Sequence, residues 1–289
     1  MEKPLFTGLC TALVTPFLDG RVNYPMIERL LARQIEAGIS AIVLAGTTGE
    51  APTLSDEEKL EMVRRAKEFA GNSCMIIAGT GSNDTAHAVQ LSLAAEEAGA
   101  DALLLVSPYY NKSNEEGLIA HYSVIAEKVS LPIILYNVPS RTGLDIPIAV
   151  YQQLSKIANI AGVKEASSAI TKITKIREFC PASFSVWSGN DDQAVPVLSL
   201  GGQGLISVIS NVKPVETAAM VNAALAGDFD TASALQILLQ PLCELLFSEV
   251  NPIPVKAAMQ YIGYDCGNCR LPLGDLSPSN RDKMRTYFA

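Results

Sequence analysis

The sequence predicts an α/β protein, a (β/α)8 TIM barrel carrying a small C-terminal helical appendage. Three observations carry that expectation: eight short apolar runs, helix start signals between them, and self-similar segments about two strand–helix units apart. The apolar runs fall at 9–14, 41–44, 75–78, 102–106, 133–136, 160–163, 184–187 and 205–209. Each is apolar on both faces, as a parallel strand buried between helices and a filled barrel interior must be.

The helices are marked in turn. Ser55-Asp-Glu-Glu58 reads as a capping box, with Met62, Val63, Ala66, Phe69 and Ala70 as one apolar face and Gly71 as the stop. Ser113-Asn-Glu-Glu116 reads as a second box, ahead of Ile119, Tyr122, Ile125 and Val129. Glu36-Ala-Gly-Ile-Ser-Ala-Ile-Val-Leu44 matches Glu97-Ala-Gly-Ala-Asp-Ala-Leu-Leu-Leu105, 61 residues on, and 200–208 is a looser copy. A doubly wound open sheet fits the same periodicity, since pattern alone does not show closure. After about residue 226 the strand signal stops. Helices are expected at 231–247, 254–262 and 277–288, broken by Pro241, Pro252, Pro254 and the Gly/Pro-rich stretch 263–278. The barrel is therefore assigned to 1–226 and the helical domain to 227–289.

At 289 residues and 30.8 kDa, with 48% hydrophobic and 18% charged residues, the chain can bury a large core. The 22 basic against 30 acidic residues give a charge of −8, and no basic tract stands out, which argues against nucleic acid or an anionic membrane as partner. No apolar run is long enough to span a bilayer. Six cysteines are too few for a disulfide scaffold in a chain of this length, and Met1-Glu-Lys-Pro-Leu-Phe6 lacks the layout of a signal peptide. A cytoplasmic location is expected.

Barrel chemistry collects where strands end, and Lys164 is the most informative residue there. It closes the run 160–163, which would put its amine at the rim of an aliphatic interior. Desolvation disfavours the ammonium and favours a nucleophilic amine able to condense with a ketone. The competing reading is a snorkelling lysine paired with Glu165. Lys256 is a rival nucleophile, discounted for its place in the helical appendage. Gly46-Thr-Thr-Gly49 offers N–H groups and hydroxyls to a small carboxylate, or is merely a tight turn. Tyr136, Tyr110 and Thr47 could relay protons, or the tyrosines could simply cap strands. Arg141 could clamp a carboxylate or lie idle on a loop. No metal site is expected: His87 and His121 lack ligand spacing, Asp191 and Asp192 read as a solvated loop, and Cys266-Gly-Asn-Cys269 is a single CxxC.

Taken together, Gly46-Thr-Thr-Gly-Glu50, Pro108-Tyr-Tyr-Asn111, Tyr136-Asn-Val-Pro-Ser-Arg-Thr-Gly143, Gly162-Val-Lys-Glu-Ala166 and Asn251-Pro-Ile-Pro-Val-Lys256 resemble the 4-hydroxy-tetrahydrodipicolinate (dihydrodipicolinate) synthase family of pyruvate-dependent aldolases. The resemblance covers essentially the whole chain. It implies condensation of pyruvate with L-aspartate 4-semialdehyde in diaminopimelate and lysine biosynthesis, without metal or organic cofactor, in a homotetramer built from dimers. It also implies residue roles. Lys164 forms the imine. Tyr136, Thr47 and a Tyr110 reaching in from the neighbouring subunit relay protons. Thr47 and Thr48 hold the pyruvate carboxylate, Arg141 positions the second substrate, and Gly189 and Ile206 line the pocket with backbone. N-acetylneuraminate lyases and keto-deoxy sugar acid aldolases share the Lys, the Tyr and a similar Thr-containing loop, but do not usually keep Ser140-Arg-Thr-Gly143. A non-catalytic sensor on the same barrel is a third possibility, which the retained catalytic positions oppose. Lysine-inhibited relatives carry a polar effector cleft that Asn83 and Tyr109 match and Pro52, Asp56, Lys59 and His87 do not, so weak or absent lysine feedback is expected.

Overall fold

The computed structural model describes residues 3–289; Met1 and Glu2, at the start of the segment read for a leader, lie outside the described residues. Eight parallel strands form a closed ring: β1 (Gly8–Ala12), β2 (Ala41–Leu44), β3 (Met75–Gly79), β4 (Ala102–Val106), β5 (Ile133–Asn137), β6 (Ile160–Glu165), β7 (Ser185–Ser188) and β8 (Gly204–Ser207). Each pairs with its neighbour in sequence, and β8 pairs with β1, which decides against the open sheet. The strands coincide with the eight apolar runs to within two residues at every end; the last run, 205–209, finishes in a 3-10 turn, Ile209–Asn211.

Alternation along each strand divides the core in two. Cys10, Val43, Ile77, Leu104, Ile134, Tyr136 and Ile206 fill the barrel interior, closed at its N-terminal end by Phe6 stacked on Trp187 at 4.8 Å. The opposite strand faces pack against the helices, in a larger core that also takes in Leu239, Leu242, Leu246, Val255 and Met259 from beyond residue 226.

Helix Asp56–Ala70 starts as expected: Glu58 N–H donates to Ser55 Oγ at 3.1 Å and Ser55 N–H to Glu58 Oε2 at 3.0 Å. Phe69 does not belong to its buried face and is 45% exposed. The second capping box does not form. Helix Glu115–Lys128 is capped by Asn114, whose side chain accepts from Gly117 N–H at 2.9 Å and so supplies the acceptor expected of Ser113. Pro241 does not break the helix Phe229–Leu246 either. It sits on the solvent face above the exposed Ile237, whose carbonyl loses its helical donor but stays open to water. A short hairpin, Phe17–Leu18 against Arg21–Val22, follows β1 and was not expected from the sequence. No helix among the described residues is long and apolar enough to cross a membrane.

Candidate active site

The site is set by an irregularity in β6. Ile133 and Ile134 on β5 face Ile160 and Gly162, so Ala161 is an extra residue in the ladder. The bulge shifts the register by one, and a shift of one reverses which side chains face inward. Tyr136 therefore lies beside Lys164, and Lys164 beside Trp187 on β7. Gly162 makes the bulge possible: a Cβ there would stand 2.1 Å from the carbonyl oxygen of Ser185.

Lys164 is 5% exposed, and its Nζ lies over the ring of Tyr136, 4.4 Å from the centroid. Three lysines are buried among the described residues. Lys172 is paired with Asp145 and Lys256 with Glu50, whereas Lys164 has no carboxylate partner. The expected alternative, pairing with Glu165, does not occur, because adjacent residues on a strand point to opposite faces. Glu165 instead accepts from Asn137 Nδ2 at 2.8 Å, Tyr151 OH at 3.0 Å and Ser167 N–H at 2.8 Å. Gly189 lies against the lysine stem: a Cβ there would be 3.1 Å from Lys164 Cε and 2.7 Å from Ala166 Cβ.

The Gly46-Thr-Thr-Gly-Glu50 loop leaves β2 through Ala45, a left-handed residue at φ 51°, and ends at Glu50, φ 57°. Tyr110 (φ 69°) and Ser168 (φ 64°) are also left-handed, so four of the five such non-glycine residues described fall on loops at the C-terminal ends of strands. Strain of this kind, on the order of 1–3 kcal/mol each, concentrates at functional sites. Thr48 is buried and its Oγ1 accepts from Asn251 Nδ2 at 3.0 Å; the carbonyl of Asn251 accepts from Arg141 Nη2 at 3.1 Å. Asn251 thus joins the Gly46–Glu50 loop to Arg141. A cavity of about 600 Å³ opens beside them, lined by Thr47, Tyr136 and Arg141 and running out to Asp56, Lys59 and His87. Tyr136 is the wall shared by this cavity and Lys164.

The structure brings together Lys164, Tyr136, Thr47, Thr48, Arg141 and Gly189 at the C-terminal rim, with Ile206 buried in the interior below. It does not bring in Tyr110, which is 93% exposed and turned to solvent within this chain. Among the described residues no hydrogen bond links Tyr136 to Thr47. Lys256, the rival nucleophile, is locked in place: its Nζ donates to Glu50 Oε1 at 2.9 Å and to the Asn268 carbonyl at 3.0 Å. Cys266 and Cys269 are unpaired, and burial pushes both thiols up to about 12, which disfavours the reactive thiolate. Asp191 corrects the expectation of a solvated loop. It is 1% exposed, and its carboxylate accepts from Ser207 Oγ and the N–H groups of Val208 and Ile209. Nothing in the local sequence distinguishes it from the exposed Asp192; a position just after a buried strand was the one available signal.

In the outer arm, Asp56 Oδ2 lies 2.7 Å from His87 Nε2 and Asp56 Oδ1 3.1 Å from Lys59 Nζ. Burial would raise the Asp56 carboxyl, but these two hydrogen bonds outweigh it and hold the group below its ordinary value.

A buried lysine without a carboxylate partner on a barrel strand, beside a tyrosine that lines a rim cavity shared with a threonine and an arginine, is the arrangement of an aldolase-type barrel. The chain belongs to the Dihydrodipicolinate synthetase family, which matches residues 5–288. It is 48% identical over 285 residues to the 4-hydroxy-tetrahydrodipicolinate synthase of Acetivibrio thermocellus, covering 99% of this chain and 97% of that one. The chloride-inhibited dihydrodipicolinate synthase of Acinetobacter baumannii, solved in complex with pyruvate, superposes with a TM-score of 0.95 at 41% identity, covering 97% of each chain. A dihydrodipicolinate synthase described as the first monomeric variant also gives 0.95, at 38% identity over 97% of this chain and 95% of that one.

Proposed function

We infer that this chain condenses pyruvate with L-aspartate 4-semialdehyde to 4-hydroxy-tetrahydrodipicolinate, through an imine on Lys164. The observation that carries the reading is the amine of Lys164, buried beside Tyr136 and free of any carboxylate partner. Its lone pair attacks the keto carbon, and loss of water leaves an iminium on Nζ. The iminium withdraws electrons, so a methyl proton departs and an enamine forms. That carbon attacks the aldehyde of the second substrate, whose carbonyl oxygen takes up a proton. The substrate's own amine then closes on the iminium carbon and releases Lys164.

Thr47 and Thr48 serve the pyruvate carboxylate, and Arg141 at the cavity mouth the carboxylate of the semialdehyde. Tyr136 is the hydroxyl placed to carry protons, with Thr47 next in line. Gly189 and Ile206 offer backbone groups. A cation at the mouth favours a short carboxylated aldehyde over the polyhydroxy chain of a sugar acid. Tyr110 completes the relay in a partner's site, in a homotetramer built as a dimer of dimers; its exposure here supports that arrangement. We assign the barrel to 1–226 and the helical appendage to 227–289. The acidic composition and six unpaired cysteines support a cytoplasmic location and no nucleic-acid partner. The reaction as written needs no metal or organic cofactor.

Borohydride reduction in the presence of pyruvate, followed by peptide mass mapping, tests the reading. A reduced adduct on Lys164 is expected, and its absence from Lys164→Ala. An adduct on Lys256, or none, overturns the assignment. Turnover with aspartate semialdehyde but not with sialic acid separates the synthase from the sugar-acid aldolases.

A further inference from the structure

The imine-forming reading gives Thr48 a task, to meet the carboxylate of the keto acid, and the inference drawn here rests on that reading. A hydroxyl carries one proton and two lone pairs, so its use to an anion depends on where the proton goes. Thr15, Thr142 and Thr217, all buried, donate theirs to the backbone carbonyls of Gly49, Val138 and Lys213. Thr48 does not. It is 2% exposed, and among the described residues its Oγ1 makes one hydrogen bond, as an acceptor, from Asn251 Nδ2 at 3.0 Å. That donation occupies a lone pair and leaves the hydroxyl proton of Thr48 uncommitted. A carboxylate needs such a proton, and an oxygen already accepting one hydrogen bond is the stronger donor of another.

Asn251 is itself buried, and its side chain is poorly provided for. Among the described residues Oδ1 has no hydrogen-bond partner, so the amide makes a single bond, the one to Thr48. Burying an amide with one end unsatisfied is unfavourable for folding, and such a group calls for a reason outside stability. Turning the amide round would not help: Oδ1 would take the proton of Thr48, and Nδ2 would be left unsatisfied instead. The two orientations make the same number of bonds and differ in whether Thr48 keeps its proton for the substrate. The backbone of Asn251 faces the other subsite, since its carbonyl accepts from Arg141 Nη2 at 3.1 Å. Side chain and main chain thus act on different anion-binding groups, and a side-chain substitution separates them.

We propose that Asn251 is a positioning residue for pyruvate: by donating to Thr48 Oγ1 it aims the Thr48 hydroxyl proton at the substrate carboxylate. With the amide removed, that hydroxyl is free to turn its proton to a backbone carbonyl, as the other buried threonines do, and its lone pairs to the substrate.

The test reads two quantities separately: the pyruvate concentration that half-saturates the borohydride-trapped adduct on Lys164, and the KM for aspartate semialdehyde at saturating pyruvate. Asn251→Ala should raise the first about fivefold and leave the second within about twofold, because main chain makes the Arg141 contact. Thr48→Val should raise the first about tenfold, and adding Asn251→Ala to it should raise it no further. An asparagine that merely held the segment together would raise both quantities in step, and its effect would persist in the Thr48→Val background. Either result overturns the proposal, as does an unchanged half-saturation in Asn251→Ala. If Asn251→Ala fails to fold, Thr48→Val combined with Asn251→Leu replaces the bonded pair by apolar groups of similar size, a swap close to neutral for stability. Its half-saturation should equal that of Thr48→Val alone, and a further rise overturns the proposal. No adduct in the unaltered protein overturns the imine reading and this proposal with it; a normal adduct with both quantities rising together overturns the proposal alone.

Discussion

Replacing Lys256 by Met separates the two lysines that the sequence offered as nucleophiles. In the native structure the Lys256 ammonium is 2% exposed, bonded to Glu50 and the Asn268 carbonyl, and lies 4.3 Å above the centre of the Phe17 ring. The other oxygen of Glu50 accepts from Arg270 N–H at 2.8 Å. Met fills nearly the same volume, so no large cavity opens. What remains is a buried carboxylate without its cation, a change that costs about 3–5 kcal/mol. At roughly 2 °C per kcal/mol for a domain of this size, the unfolding midpoint should fall by about 6–10 °C. Adding Glu50→Gln removes the stranded charge and should restore a large part of the loss. Because Glu50 ends the loop that carries Thr47 and Thr48, the single variant should bind pyruvate more weakly yet still form its adduct on Lys164. Thermal denaturation and adduct mapping on the single and double variants decide the matter. A folded Lys256→Met protein that traps no pyruvate would refute the assignment of Lys164. An unchanged unfolding midpoint would refute the role given to the ion pair.

Gly189→Ala places a methyl 2.7 Å from Ala166 Cβ and 3.1 Å from Lys164 Cε; overpacking of about 1–3 kcal/mol and adduct formation slowed by about tenfold are expected, and an unaltered trapping rate would rule out the contact as a constraint. If Tyr110 serves a partner's site, specific activity should fall on dilution while secondary structure stays constant, and Tyr110→Phe should lower turnover without preventing the adduct; activity independent of concentration down to the monomer would contradict this. With Asp56 engaged by His87 and Lys59, millimolar lysine should leave the steady-state rate unchanged, and saturable inhibition in that range would show that the outer arm of the cavity takes the amino acid after all.

The barrel was legible because its strands are buried on both faces, so composition alone marks them; runs 41–44 and 102–106 coincide with β2 and β4 at both ends. Lys164 was legible for the same reason, as a charge closing an apolar run. Its direction was not. Whether it faces the cavity or the helices depends on the single extra residue at Ala161, and a glycine within the strand, Gly162, was the one trace of that bulge in the sequence. Asp191 was misread because its burial comes from β8 and from a helix some 45 residues away, through Gln236. Asn251 bonds Thr48 across 203 residues, a contact no local pattern encodes. Gly189 and Ile206 entered only through family resemblance: a glycine after a strand and an isoleucine within one have no distinguishing chemistry of their own.

The ties to the C-terminal segment share a direction. Asn251 holds Thr48 and Arg141, Lys256 holds Glu50, and Gln236 holds Asp191, so three loops of the barrel rim are fastened by residues beyond 226. Loops at the end of a barrel are otherwise short of partners for their polar groups and correspondingly mobile. The chemistry demands the opposite, since a cationic intermediate and two substrate carboxylates gain most from dipoles and charges already in place before they form. The helical appendage supplies that rigidity by meeting each loop with a hydrogen bond, and it shares the barrel's outer core through Leu239, Leu242 and Met259. Loosening any one of these ties should therefore impair substrate binding well before it unfolds the ring of strands, because the interior packed around Trp187 makes no use of them.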